Sequence, residues 1–203
     1  MCLVAVSLFA AAPDIKATLD PVERRYNSAG TLEVAFEEKY QAPGRPTKVE
    51  KGTLLLRKPG QMRWNYTDPA GKVFLSDGKF FWLYTPDSNR VEKIKMKESD
   101  DMRAPLAFLL GKLDFDKEFQ KIEARSQGDD ILLVAYPKSS NLPYTRVEFV
   151  VTPDHRIQRV QVTGYDQSVL EFIFQSEKVN PRLSAQIFRF EVPAGAELVE
   201  ATQ

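Results

Sequence analysis

The 203-residue chain carries 28 Lys plus Arg against 28 Asp plus Glu, and 43% of its residues are hydrophobic. Balanced charge argues against a nucleic-acid binder, which shows a basic excess or stripe, and the apolar content suffices for a buried core in one domain or at most two small ones. The single cysteine, Cys2, excludes a disulfide framework and Cys-based zinc sites.

Residues 1–12 are apolar and end in Ala10-Ala11-Ala12 before Pro13. They have the texture of a signal-peptide remnant without a basic n-region, and are too short to cross a bilayer as a helix. The expectation is an exported, soluble protein whose remainder, 13–203, is one domain.

Ile15, Leu19, Val22 and Tyr26 fall on one face of a helix over 14–28. Pro21 is expected to kink it or to restart it with Asp20 as N-cap. Strands follow over 31–97. Leu32, Val34 and Phe36 alternate first, and Met62, Trp64 and Tyr66 share one face with Arg63 and Asn65 opposite. Asp77-Gly78 marks a hairpin. The faces of Phe74 against Leu75, and of Phe81 and Leu83 against Trp82, stay open by one residue of register. Lys93, Lys95 and Lys97 suit an exposed, lysine-guarded edge. An apolar stretch with Leu106, Phe108, Leu109, Leu110 and Leu113 predicts lid helices over 100–118. Strands resume over 119–192 and close on the Phe188–Phe190 alternation. The fold class is mainly β (α+β): an open, incomplete antiparallel β-barrel of about 11 strands with a short helical lid on its concave face.

No catalytic constellation assembles. His155 is the sole histidine and sits in a Pro-Asp turn, where a surface role fits better than metal ligation. Phosphate-binding glycine loops and a Gly-x-Ser-x-Gly elbow are absent. Asp100-Asp101 and Asp129-Asp130 lie in turns rather than across a cleft. The sequence therefore predicts no enzyme, no cofactor and no metal. What stands out is apolar surface in excess of what two short helices would cover.

Gly52, Leu54, Lys58-Pro59, Trp64, Ser76-Asp77-Gly78-Lys79, Trp82, Tyr84 and Pro86 occur in an order and spacing that resembles the LolA family of periplasmic outer-membrane lipoprotein carriers. The stretch around Leu106 to Leu110 resembles that family's lid helix, and Phe188-x-Phe190 its closing segment. The resemblance implies a half-barrel that carries acylated lipoproteins, as a monomer, from an inner-membrane exporter to an outer-membrane acceptor. It also implies an acyl-chain cavity, for which the residues suggest Met62, Trp64, Phe74, Phe81, Leu83, Leu106, Phe108, Leu109 and Leu110. Lys58 stands where the family commonly has an Arg that latches the lid, and lacks its bidentate fork. The alternative of the same architecture is an envelope lipid- or lipoprotein-sensing module, or the outer-membrane acceptor itself.

Overall fold

The structure is a computed structural model that describes residues 13–96 and 113–200. The leader, residues 97–112 with Leu106, Phe108, Leu109 and Leu110, and residues 201–203 lie outside the described residues.

Helix α1 (Ile15–Ser28) opens the fold. Asp14, rather than Asp20, is its N-cap: Asp14 Oδ1 accepts from the backbone N–H of Lys16 at 2.9 Å and of Ala17 at 3.2 Å. Pro21 does not divide the helix. The proline costs about 3 kcal/mol in a helix interior, whereas burying large side chains such as Leu19, Val22 and Tyr26 contributes about 1.5–3 kcal/mol apiece. Docking of that face outweighs the local penalty.

Strands β1 (Thr31–Gln41), β2 (Lys48–Arg57), β3 (Gln61–Asp68), β4 (Ala70–Asp77), β5 (Phe80–Thr85) and β6 (Arg90–Lys95) form a meander. A single helical turn, α2 (Phe115–Glu118), leads into β7 (Phe119–Gln127), β8 (Asp130–Pro137), β9 (Tyr144–Val151), β10 (Ile157–Gly164) and β11 (Val169–Val179). Strand β12 (Glu197–Glu200) is last. All twelve belong to one sheet in the order β12-β6-β5-β4-β3-β2-β1-β11-β10-β9-β8-β7. Pairing is antiparallel except that β12 runs parallel to β6. Lys93 is therefore not on a free edge: it pairs with Glu200 at 2.9 Å and covers the Phe80 ring at 4.4 Å.

The sheet curls hard. Trp64 on β3 and Phe172 on β11 have ring centroids 5.0 Å apart although β2 and β1 stand between them. On a flat sheet those strands would be about 14 Å apart. Phe36 fills the corner, edge-on to Trp64 at 4.7 Å and to Tyr66 at 5.1 Å. Opposite Phe36 on β2 is Gly52, where a Cβ would stand 2.1 Å from the Asn65 carbonyl oxygen and 2.9 Å from the Phe36 ring. The ring occupies the space that a side chain would need.

The convex face has two coverings. Over β9–β10–β11–β1–β2 lies a cross-strand charge ladder: Arg159 reaches Glu171 at 3.0 Å and Glu148 at 3.6 Å, and Lys51 reaches Glu37 at 3.0 Å. Over β3–β5 lies the C-terminal segment, which corrects the expected strand through Phe188 and Phe190. Residues Ala185–Phe188 form a 3-10 turn instead. Phe188 is buried and Phe190 stacks on Trp82 at 5.1 Å. Arg63 donates to the Ile187 carbonyl at 3.0 Å. The alternating phenyls pack on a sheet face here rather than building a ladder.

Gly52→Ala should lower stability by about 2 kcal/mol or more, because the clash is with backbone, while Gly30→Ala, whose nearest new neighbour is at 3.8 Å, should stay within about 0.5 kcal/mol of the parent. Urea denaturation of the two variants checks the contrast.

Candidate functional site

The concave face is an apolar wall laid down by strand alternation. Register places Leu32, Leu56, Met62 and Phe81 in neighbouring inward positions, the next inward row being Val34, Leu54, Trp64, Phe74 and Leu83. Met62, Trp64, Phe74, Phe81 and Leu83 thus share the inner face, while Leu75 and Trp82 belong to the outer one. The far half of the wall is built by Leu133, Val147, Phe149, Val160, Val162 and Phe172, with Phe115 edge-on to Phe149 at 5.4 Å.

This wall is not open. Met62 and Trp64 are 0% exposed, and Phe74 and Phe81 are 2% and 3%. Helix α1 lies across the face with Leu19, Val22 and Tyr26 in the same core. Between helix and wall remains a cavity of about 20 Å³ lined by Tyr26, Leu32, Val34, Leu54, Leu56, Ile157, Phe174 and Glu177. That holds about one water, against the roughly 300 Å³ at which ligand pockets begin.

Polar bonds fix the helix. Tyr26 Oη donates to Glu177 Oε2 at 2.8 Å and accepts from the Ile157 N–H at 2.9 Å. Arg25 pairs with the other oxygen of Glu177 at 2.7 Å. Asn27 exchanges hydrogen bonds with the Leu113 backbone at 2.8 and 2.6 Å, and Glu23 accepts from the Phe115 N–H at 2.8 Å. Lys58 Nζ donates to the Tyr26 carbonyl at 2.6 Å, and its backbone N–H bonds Gly30. The ammonium sits where the helix dipole is negative. Helix α1 is thereby tied to β2, to the β10–β11 pair and to the segment entering β7.

Burial pushes the Tyr26 phenol above its ordinary range, and the Glu177 carboxylate pushes it further. Burial also lowers the Lys58 ammonium.

Among the described residues, Met62, Trp64, Phe74, Phe81 and Leu83 lie together on the inner face, the first four of them buried. Lys58 engages α1, where contact with the Leu106–Leu110 stretch was expected; that stretch is outside the described residues. Sequence reasoning missed Glu177. It follows Ser176, whose φ of 54° interrupts β11, so strand alternation gives no warning of where its carboxylate points. The Ser76-Asp77-Gly78-Lys79 motif is a hairpin device. Asp77 accepts from the Lys79 and Phe80 N–H groups at 2.8 and 2.9 Å and from the Trp82 indole at 2.9 Å. Burial alone would raise its carboxyl, but these donors outweigh burial and hold it low. His155 lies in an exposed turn with φ of 63°.

The family described as outer membrane lipoprotein carrier protein LolA matches residues 27–191. The outer-membrane lipoprotein carrier protein of Chromobacterium violaceum is 25% identical over 96% of this chain and 93% of its own length. Its counterpart in Pectobacterium carotovorum is 26% identical over 90% of this chain and 87% of its own. Two crystal structures share the fold. One, of a DUF1329 family protein from Desulfovibrio piger, has a TM-score of 0.54 at 14% identity, covering 88% of this chain and 98% of that one. The other, of a conserved protein from Thermus thermophilus, has a TM-score of 0.53 at 14% identity, covering 92% and 98%. No helix among the described residues is long and apolar enough to cross a membrane.

The raised Tyr26 phenol has a consequence for alkaline stability. The unfolded chain ionises Tyr26 near its ordinary value of 10, and the folded one does so only at higher pH. Its contribution is therefore complete below about pH 10 and declines as pH rises above it. Tyr26→Phe should flatten the fall of melting temperature between pH 9 and 11, and should lower stability at pH 7 by about 1–3 kcal/mol for the buried partners left behind. Tyr144, a second phenol pushed up to about 12, remains in both proteins as an internal reference.

Proposed function

Since the chain belongs to the outer membrane lipoprotein carrier protein family, LolA, we propose that it carries acylated lipoproteins across the periplasm, with the inner face of β1–β5 receiving acyl chain once α1 swings away. Its proposed partners are an inner-membrane exporter that loads it and an outer-membrane acceptor that unloads it. The supporting observation is an apolar wall covered by a helix that docks on it through apolar side chains and side-chain hydrogen bonds without being part of the sheet.

The energetics favour exchange. Each buried methylene contributes about 0.8 kcal/mol, so a chain of ~15 methylenes contributes roughly 12 kcal/mol. Undocking Leu19, Val22 and Tyr26 forfeits about 5–9 kcal/mol by the same burial scale. The two are close enough that cargo can displace the helix and the helix can help expel cargo. A permanently open cavity burying three chains fully, at roughly 36 kcal/mol, would instead exceed the practical limit of about 20 kcal/mol, and release would fail. Helix α1 acts here as a self-ligand: the carrier's empty state is stabilised by its own apolar side chains, and net affinity is the difference. Lys58 serves as the latch, through the Tyr26 carbonyl and a single-point ammonium contact.

The chain has two tryptophans, one on each face of the sheet. In a Trp82→Phe variant, Trp64 reports from the inner wall alone; in Trp64→Phe, Trp82 reports from the outer. A lipopeptide with brominated acyl chains should quench the first and leave the second nearly unchanged, measured by steady-state fluorescence. Quenching of Trp82 without Trp64 would place the cargo elsewhere and defeat the assignment.

A further inference from the structure

The inner wall of β1–β4 ends in charge. After the rows through Leu32, Val34 and Phe36, the next inward cross-strand pair is Glu38 opposite Glu50. Neither is solvated: Glu38 is 7% and Glu50 3% exposed. Tyr66 Oη donates to Glu38 Oε2 at 2.6 Å. Glu50 is ion-paired with Lys48 and with Lys72. The Lys72 ammonium stands 4.2 Å from the Tyr66 ring centroid, joining the two carboxylates into one network. Burial would raise the Glu50 carboxyl, yet the two lysines outweigh burial and keep it low.

Two properties make this row a boundary rather than a lining. Its members sit on sheet strands β1–β4, so it stays in place when α1 leaves, whereas Lys58, Tyr26 and Glu177 at the opposite end all engage or belong to the helix. Hydrocarbon pushed among buried ion pairs would also separate charges that have no water to replace their partners. From Leu32 to Glu38, at about 3.4 Å per residue, the apolar track is roughly 20 Å long. A zigzag of carbon–carbon bonds of about 1.5 Å advances ~1.25 Å per carbon, so ~16 carbons fill it.

We propose that the Glu38–Tyr66–Glu50–Lys72 network is a length stop for acyl chains lying along β1–β4, admitting about 16 carbons. The proposal deepens the carrier reading and rests on it.

The test uses single-chain N-acyl peptides of 10 to 20 carbons, titrated below their micelle concentrations against the Trp82→Phe protein. Dissociation constants should fall about fourfold per added methylene, equivalent to ~0.8 kcal/mol, up to about 16 carbons and then level off. Replacing the network by Glu38→Leu, Glu50→Leu, Lys72→Met and Tyr66→Phe together should move the plateau at least two carbons longer, Lys48 being 66% exposed and free to solvate. The pair Glu38→Leu with Tyr66→Phe keeps the Glu50–Lys72 bond and covers the case in which the fuller replacement does not fold; it should shift the plateau in the same direction. Affinity that keeps climbing to 20 carbons in the Trp82→Phe protein, or a plateau unmoved in a folded variant, overturns the stop while leaving the carrier reading intact. Absence of binding at every length overturns both.

Discussion

A sheet that curls without closing has one strongly apolar concave side and no second layer of its own to cover it. Trp64 meeting Phe172 across two intervening strands shows how tight the curl is. Among the described residues, α1 lies in the trough, with three large side chains on the wall and polar ties at the end of β2, at β10–β11 and at the start of β7. The cavity that the described residues line beneath the helix, about 20 Å³, holds about one water.

The fastening divides into two kinds of bond. Apolar docking of Leu19, Val22 and Tyr26 resists departure in proportion to area, and any hydrocarbon guest offers the same kind of energy in return. The hydrogen bonds of Tyr26, Glu177, Lys58 and Asn27 are directional and fix where the helix sits. On the outer face, the aromatic motifs hold the scaffold steady. Asp77 orients Trp82, Trp82 stacks on Phe190, and Arg63 clasps the Ile187 carbonyl from the same strand that carries Met62 and Trp64 inward.

Most of the sheet was legible because alternation has period two and turns are chemically marked. Met62, Trp64 and Tyr66 separate cleanly from Arg63 and Asn65, and Asp77-Gly78 falls where β4 turns into β5. Continuous apolar runs were less informative. Phe80 to Leu83 offers a large side chain to both faces, and only pairing with β4 and β6 settles which is inward. Tertiary docking overrode local preference at Pro21. The Phe188–Phe190 alternation satisfies a strand pattern yet serves a face, since periodicity states which residues travel together and not what they travel toward. Lys58 drew notice by its place before Pro59, but its acceptor here, a main-chain carbonyl of α1, has no sequence identity to find.

The seam between β1 and β11 joins residues 31–41 to residues 169–179. Pairing across so long a loop is entropically expensive and slow to nucleate. Until β11 is available, β1 has a neighbour on only one side, Phe172 is missing from the trough, and α1 lacks Glu177. Joining the two halves of the sheet and forming the Glu177 tie to the helix therefore both depend on β11. A chain cut short before β11 would leave the hydrogen-bonding edge of β1 open and the near wall without Phe172 to meet it.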